Sequence, residues 1–349
     1  MQKAKRLGIL TSGGDCPGLN AAIRAVSKFA IAEGYEVMGF RNGWQGFLQE
    51  DYLILNRINT SGIIDRGGSI LGSSRLSPLR EENGVKRTLD NFDRYGLSGV
   101  IVLGGEGSLS LTSKLHREGL PAVGIPKTID NDVSGTSFSI GFQTAVQIAT
   151  DALDRLRSTA ESHHRVMLLE VMGRNTGWIA TYAGMANGAD AILIPEIPLD
   201  DSRIDSLCEM VRIRNQRHAA FSVIVIAEGT AINGKKIEKL ELDKYAGGEA
   251  RRFGGVGKII ADLIEEATEI ESRVTILGYV QRGGTPTAYD RSLATAFGVK
   301  AVRLVNEKRF GTMTALKGDI ITQIPLSQVQ DRIKTIDLNI YKTAEIFFG

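Results

Sequence analysis

Residues 7–34 read LGILTSGGDCPGLNAAIRAVSKFAIAEG, and this stretch decides the fold class. An apolar run, Leu7 to Leu10, is followed by the glycine-rich turn Thr11–Asn20. Beyond it Ala22, Ile23, Val26, Phe29 and Ala30 recur at helical spacing, with Gly34 as the stop signal. A strand feeding a glycine turn and a helix N-terminus presents free backbone N–H groups and the positive end of the helix dipole, which favour an anion. The turn is neither the Walker pattern nor G-x-G-x-x-G, and a tight structural turn is the competing reading. The same type of apolar run returns at Val100–Leu103, Val166–Val171, Ala191–Ile194, Ser222–Ala227 and Val274–Leu277, several followed by helical periods. Continuous apolar strands alternating with helices predict a mostly parallel sheet covered on both faces. A long helix is expected over about Gln143 to Arg157, with Val146, Ala149, Leu153 and Leu156 on one face, as a crossing point between two α/β domains.

The chain has 349 residues, long enough for about two domains. Its 42% hydrophobic and 23% charged residues are those of a soluble globular protein. Lys+Arg 42 against Asp+Glu 40 leaves a net charge of +2, which argues against nucleic-acid or membrane partners and makes any anion site local. The apolar run near Met1 is too short for a signal peptide and no stretch is long enough for a membrane span, so the expected location is cytoplasmic. The cysteines, Cys16 and Cys208, and four scattered histidines offer neither a disulfide framework nor zinc spacing.

The apolar run Ala122–Ile125 ends in Pro126-Lys127-Thr128-Ile129-Asp130-Asn131-Asp132. The proline ends the strand, so the polar residues belong to a loop at the strand's carboxyl end, the ligand-binding edge of open α/β sheets. Asp130 can accept a proton, Lys127 can meet phosphate and Asp132 can help hold a metal, which together are the parts of phosphoryl transfer. Taken alone, an exposed acidic turn would also account for them. A second loop, Gly104-Gly105-Glu106-Gly107-Ser108, follows Val100–Leu103, and with the first it could flank one polyphosphate. Arg75, Arg165 and Arg174 carry guanidinium forks suited to phosphate, although a surface ion pair explains any one of them singly. The His163–His164 pair is no metal site, because adjacent residues face apart. Residues 229–272, glycine-rich from Tyr245 to Gly257 and helical in pattern from Lys258 to Ala267, read equally as a mobile active-site loop or an exposed hairpin.

With these residues in view the chain resembles the phosphofructokinases. TSGGDCPGLNAAIR, LGSSR, GGEGS, PKTIDND, HHR, EVMGR, AEGT and LGYVQRGGTP occur in that family's order between about Leu7 and Asp290. The resemblance implies two Rossmann-like three-layer α/β domains with mostly parallel sheets and the active site in the cleft between them. One domain would comprise residues 1–141 and about 281–332, the other about 142–280 and 333–349. It implies ATP and fructose 6-phosphate as substrates, Mg²⁺ as cofactor, and a homotetramer with sugar-phosphate sites shared between subunits. By the same resemblance Asp130 takes the proton from the sugar hydroxyl, Asp132 supports the metal and phosphoryl group, and Thr128 contacts the sugar phosphate. Arg174 stabilises the transferred phosphoryl group. Gly14, Arg75, Glu106, Gly107 and Ser108 fall at the donor site, with Glu106 as the metal-side carboxylate. Met172, Gly173, Glu228, Tyr279 and Arg282 match sugar-phosphate contacts, while Arg165 and Arg273 match arginines that reach in from a neighbouring subunit.

The well-known bacterial ATP enzymes have Asp at Glu106, Gly at Lys127 and His at Tyr279. Lysine at 127 is typical of the pyrophosphate branch, which usually carries Asp at position 107. Gly107 with Lys127 resembles an intermediate, actinobacterial-type ATP branch. A carboxylate at 107 would crowd and repel the donor's α-phosphate, whereas glycine leaves room for a nucleotide. ATP is therefore the expected donor and pyrophosphate the alternative. A non-catalytic nucleotide-binding homologue would be expected to lose Asp130, Asp132 or Arg174, and all are present. Arg24, Arg57 and Arg157 match part of the family's bacterial effector site, where Lys28 replaces an arginine.

Overall fold

The apolar runs read from the sequence are strands in the computed structural model of the chain, which describes residues 5–216, 221–243, 248–330 and 332–349. In chain order the first part comprises β1 (Lys5–Thr11), α1 (Leu19–Ala32), β2 (Tyr35–Phe40), α2 (Trp44–Gln49), β3 (Tyr52–Leu55), α3 (Gly84–Tyr95), β4 (Leu97–Gly104), α4 (Glu106–Arg117), β5 (Ala122–Pro126) and α5 (Phe142–His163). The middle part comprises β6 (Val166–Val171), α6 (Trp178–Asn187), β7 (Ala191–Leu193), α7 (Asp201–Gln216), β8 (Ser222–Ala227), β9 (Ala231–Ile232), β10 (Lys235–Lys236), β11 (Glu238–Asp243), β12 (Gly248–Phe253), α8 (Val256–Thr268) and β13 (Ser272–Ile276). It closes with α9 (Ala288–Asn306), β14 (Thr312–Lys317), β15 (Ile320–Pro325) and α10 (Leu338–Glu345). These elements form two compact units. The first holds residues up to Thr144 with Arg282–Lys334, and the second holds Ala145–Asp243, Gly248–Gln281 and Thr335–Gly349.

The first unit is built on a seven-stranded sheet in the order β15-β14-β5-β4-β1-β2-β3. Its inner pairs are parallel, with antiparallel strands only at the two edges. Leu7, Ile9 and Leu10 of β1 are fully buried, as a strand covered on both faces requires. Against one part of the sheet Phe40, Trp44, Phe47 and Tyr95 form a cluster with Leu10 and Val102, and Phe40 and Phe47 have ring centroids 4.6 Å apart. Burying each such side chain contributes about 2 kcal/mol. Helices α1 and α9 approach closely because Gly298 has no side chain: a Cβ there would sit 2.7 Å from that of Ala25.

The second unit carries a four-stranded, all-parallel sheet in the order β13-β6-β8-β7. Leu168, Ile224 and Ile226 pack with Val256, Ile260 and Ile264 of α8 and Leu207 and Val211 of α7. Glu170 is a charged residue next to the carboxyl end of β6, yet only 1% exposed. Its carboxylate accepts from the N–H groups of Gly255 (2.9 Å) and Gly257 (2.8 Å), so it caps α8, whose own N-cap glycine has no side chain to do so. Glu196 accepts from Gly177 N at 2.9 Å and caps α6 in the same way. In the 229–272 segment the backbone forms the antiparallel pairs β9–β10 and β11–β12 and then α8, while Lys244–Gly247, which includes the start of the glycine-rich stretch at Tyr245, lies outside the described residues.

Candidate active site

In the first unit's sheet the chain turns one way from β1 to β2 and the other way to β4 and β5. The carboxyl ends of β1 and β4 therefore border the topological switch point, where α/β sheets bind ligands. The backbone there is stitched together: Ser12 N donates to Leu103 O and Lys127 N to Gly104 O, both at 2.9 Å. Gly13 N donates to Ser74 O at 2.9 Å, which brings Arg75 to the rim of the first loop. Ser108 Oγ lies 3.1 Å from Ser12 Oγ, so the two glycine-rich segments are neighbours. Helix α1 starts after Gly18, left-handed at φ 101°, and so exposes the N–H groups that the sequence reading assigned to an anion.

The second segment is tighter than the loop expected from its sequence. Strand β4 extends to Gly104 and α4 already begins at Glu106, leaving Gly105 between them. The reason is steric: a Cβ on Gly104 would lie 2.4 Å from Ser108 Cβ, so only glycine lets the helix start directly on the strand. Glu106 and Gly107 are thus first-turn residues of α4, and a Cβ at Gly107 would meet nothing within 4 Å.

Strand β5 ends at Pro126, and the PKTIDND segment turns away at that edge. Lys127 is only 2% exposed and its ammonium donates to the carbonyl of Gly14. Burial is the main reason that its pKa falls from 10.5 to about 8, with Arg282 also lowering it and Cys16, Asp15 and Asp130 opposing. Thr128 N donates to Ile140 O at 3.1 Å and Ser139 Oγ to Thr128 O at 2.8 Å, fixing the turn from its far side. Asp130 N donates to Thr128 Oγ1 at 3.2 Å. Asn131 takes up a left-handed φ of 50° and accepts from Ser139 N at 3.1 Å, which swings Asp130 and Asp132 to either side of it. Burial raises the Asp132 carboxyl to about pKa 7, the charges of Asp130 and Glu106 add to this, and Lys334 works against it. Asp130 and Glu106 are therefore each within electrostatic reach of Asp132.

Lys334 was not singled out from the sequence, and nothing local marks it. Among the described residues no group of three or more His, Cys, Asp and Glu side chains forms a preformed metal cage. Mg²⁺ is commonly held by one or two carboxylates together with substrate phosphates and water. Glu106, close to Asp132 and at the start of α4, is the carboxylate that fits this role.

Arg282 lies in the first unit, against the loop after β1. Its Nη1 donates to Asp15 O at 3.1 Å, and a Cβ on Gly14 would come within 2.7 Å of it.

In the second unit Met172, Gly173 and Arg174 follow β6, Glu228 follows β8, and Tyr279 follows β13, all at the carboxyl edge of the sheet. Gly173 has φ 147°, and Gly229 is packed so closely that a Cβ would fall 2.0 Å from Arg174 O. Met172 N donates to the buried Gln281 Oε1 at 3.2 Å, and Gly229 N to Gly173 O at 3.1 Å. Tyr279 is 63% exposed. Arg165 and Arg273 are placed differently. Arg165 precedes β6 and Arg273 pairs in register with Met167, so both stand at the amino edge, each in an ion pair with Glu271. The length of β6, about 20 Å at 3.3 Å per residue, separates Arg165 from Arg174. Of the residues matched to the effector site, Arg157 donates to Asn187 O (3.0 Å) and Gly188 O (2.7 Å) in the second unit, whereas Arg24, Lys28 and Arg57 belong to the first.

No helix among the described residues is long and apolar enough to cross a membrane. A parallel sheet with glycine-led helix starts at its switch point and paired carboxylates at the end of the adjoining β5 is the framework of a phosphotransferase. The Phosphofructokinase family profile matches residues 6–305. The chain is 47% identical, over 99% of its length and 100% of the relative's, to a pyrophosphate–fructose 6-phosphate 1-phosphotransferase of Streptomyces coelicolor. It is 48% identical, over 97% of its length and 99% of the relative's, to ATP-dependent 6-phosphofructokinase 3 of the same organism. The crystal structure of Pichia pastoris phosphofructokinase in the T-state superposes with a TM-score of 0.83 at 29% identity, covering 99% of this chain and 37% of that one. The chain belongs to the phosphofructokinase family.

Proposed function

We propose that the protein transfers the terminal phosphoryl group of ATP to the C1 hydroxyl of fructose 6-phosphate, giving fructose 1,6-bisphosphate and ADP, as a step of glycolysis in the cytoplasm. The observation that carries the reading is the placement of Asp130 and Asp132 at the carboxyl end of β5, beside the glycine-led starts of α1 and α4. Asp130 accepts the proton of the C1 hydroxyl as its oxygen forms the new bond to the γ-phosphorus, while the bond to the β–γ bridging oxygen breaks and that oxygen leaves with ADP. Mg²⁺, when bound at Glu106, neutralises charge on the donor phosphates. Asp132 supports the same region, and Gly14, Arg75, Gly107 and Ser108 frame the donor. Arg174 stabilises the transferred group. Met172, Gly173, Glu228, Tyr279, Thr128 and Arg282 orient the sugar phosphate.

Pyrophosphate is the second reading for the donor, favoured by the buried cation of Lys127 and by the name of the first Streptomyces relative. The open space beside Gly107 favours ATP, since nothing there obstructs a nucleotide. The position of Arg165 and Arg273 at the opposite edge of their own sheet supports an oligomer, a homotetramer by family resemblance, in which they serve a neighbour's sugar-phosphate site.

A coupled assay with each donor tests the proposal. ATP with Mg²⁺ should give a far higher kcat/KM than pyrophosphate. Asp130→Asn should lower kcat by about 10²- to 10⁴-fold while sugar-phosphate binding changes far less. An Asp130→Asn protein with near-normal kcat sinks the assignment of the base.

A further inference from the structure

Directly after the two aspartates the chain is braced by a segment that comes some 200 residues later. Val133 and Ile333 form an antiparallel bridge, Lys334 N donates to Asp132 O at 2.9 Å, and Ser134 Oγ donates to Arg332 O at 2.8 Å. The side chain of Lys334 then turns into the loop, where Nζ donates to both Thr136 O and Ser137 O at 2.9 Å. The same Ser137 carbonyl accepts from Asn131 Nδ2 at 3.3 Å, so the lysine and the residue between the two aspartates share one acceptor. On the outer side, Ser137 N donates to Leu316 O at 2.7 Å and Leu316 N to Thr136 Oγ1 at 2.9 Å, which anchors the loop to β14.

Three donors of a single residue thus meet three carbonyls spaced along Asp132 to Ser137. Carbonyls that turn inward in an irregular loop must be satisfied or the loop reorganises. The one amino group serves two of them at once. A loop held at both sides of Asn131 has little freedom to move the carboxylates, and a shift of about 1 Å in a reacting group can cost 10²-fold in rate.

We infer that Lys334 is a positioning residue of the phosphoryl-transfer site, fixing the Asp130–Asp132 turn through the Asp132, Thr136 and Ser137 carbonyls. The inference rests on the proposed function, in that it presumes Asp130 and Asp132 to be the working carboxylates.

Lys334→Met keeps the length of the side chain and removes the ammonium, and Lys334→Arg keeps a cationic donor. With Lys334→Met we expect kcat to fall at least tenfold, the KM for sugar phosphate and donor to change less than threefold, and exchange of the Ser137 and Ser139 amides with deuterium to quicken. Lys334→Arg should recover most of kcat. If Lys334→Met does not fold, Lys334→Gln supplies the same comparison with a neutral donor in place. Wild-type protein that phosphorylates no sugar phosphate from either donor overturns the functional reading and the inference with it. Active wild type accompanied by a folded, neutral variant of unchanged kcat overturns the inference alone, as does a loss of kcat that Lys334→Arg fails to recover.

Discussion

The ammonium of Lys127 donates to the main-chain carbonyl of Gly14, so a residue at the end of β5 holds the loop that follows β1. Burial of this lysine lowers its folded pKa from 10.5 to about 8. Between those values the unfolded chain binds the proton more than the folded chain does, so the group's contribution to stability rises with pH across that window. The full difference corresponds to about 3 kcal/mol. Urea denaturation of wild type and Lys127→Met at fixed concentration should therefore show wild type gaining on the variant from pH 8 to pH 10. A difference that stays flat or narrows over that range contradicts the depressed pKa.

Position 107 decides the donor if space and charge in the first turn of α4 do so. A Cβ there meets nothing, and the backbone is helical, so Gly107→Asp should fold normally. The new carboxylate would face the nucleotide's phosphates. An unpaired like charge costs several kcal/mol, and each 1.4 kcal/mol is tenfold, so kcat/KM for ATP should drop at least about 100-fold and that for pyrophosphate much less. Intact use of ATP by the variant would turn attention from position 107 to Lys127.

The arginines at the amino edge of the second sheet lead to a test of shared sites. Co-refolding Asp130→Asn with Arg165→Ala, each nearly inactive alone, should restore activity in mixed oligomers, because some sites then combine an intact aspartate with a neighbour's intact arginine. Activity that remains at background in verified hybrids would mean that Arg165 acts within its own chain or not at all.

The strand ends that carry the site were legible because each is announced locally. Pro126 stops β5, Gly18 and Gly34 bracket α1, and continuous apolar runs gave β6 and β8 their observed limits. The start of α4 was displaced because its cause, the close contact of Gly104 with Ser108, is steric and leaves no pattern of spacing. The caps supplied by Glu170 and Glu196 were invisible for a related reason. A helix whose N-cap is glycine draws its carboxylate from a remote strand or loop, and no local motif records that partnership. Strand β14 escaped notice because its sequence, TMTALK, interleaves polar residues, and it is recognised as a strand chiefly by the neighbour it joins. Lys334 shows the limit most plainly, being one lysine among many until the chain folds it back on Asp132.

The insertion of β14 beside β5 has a bearing on how the protein is made. On the ribosome, β1, β2, β4 and β5 emerge early, but the strand that covers the outer edge of β5 follows only after most of the second unit, up to Gln281, has been synthesised. Until then the nascent sheet ends in Ala122–Pro126, whose unpaired N–H and C=O groups offer a template to any other strand. The turn bearing Asp130 and Asp132 hangs from that same uncovered edge. Productive folding of the first unit thus depends on the last quarter of the chain arriving before a foreign strand does, and a nascent chain stalled short of Thr312 would be an aggregation hazard before it could be an enzyme.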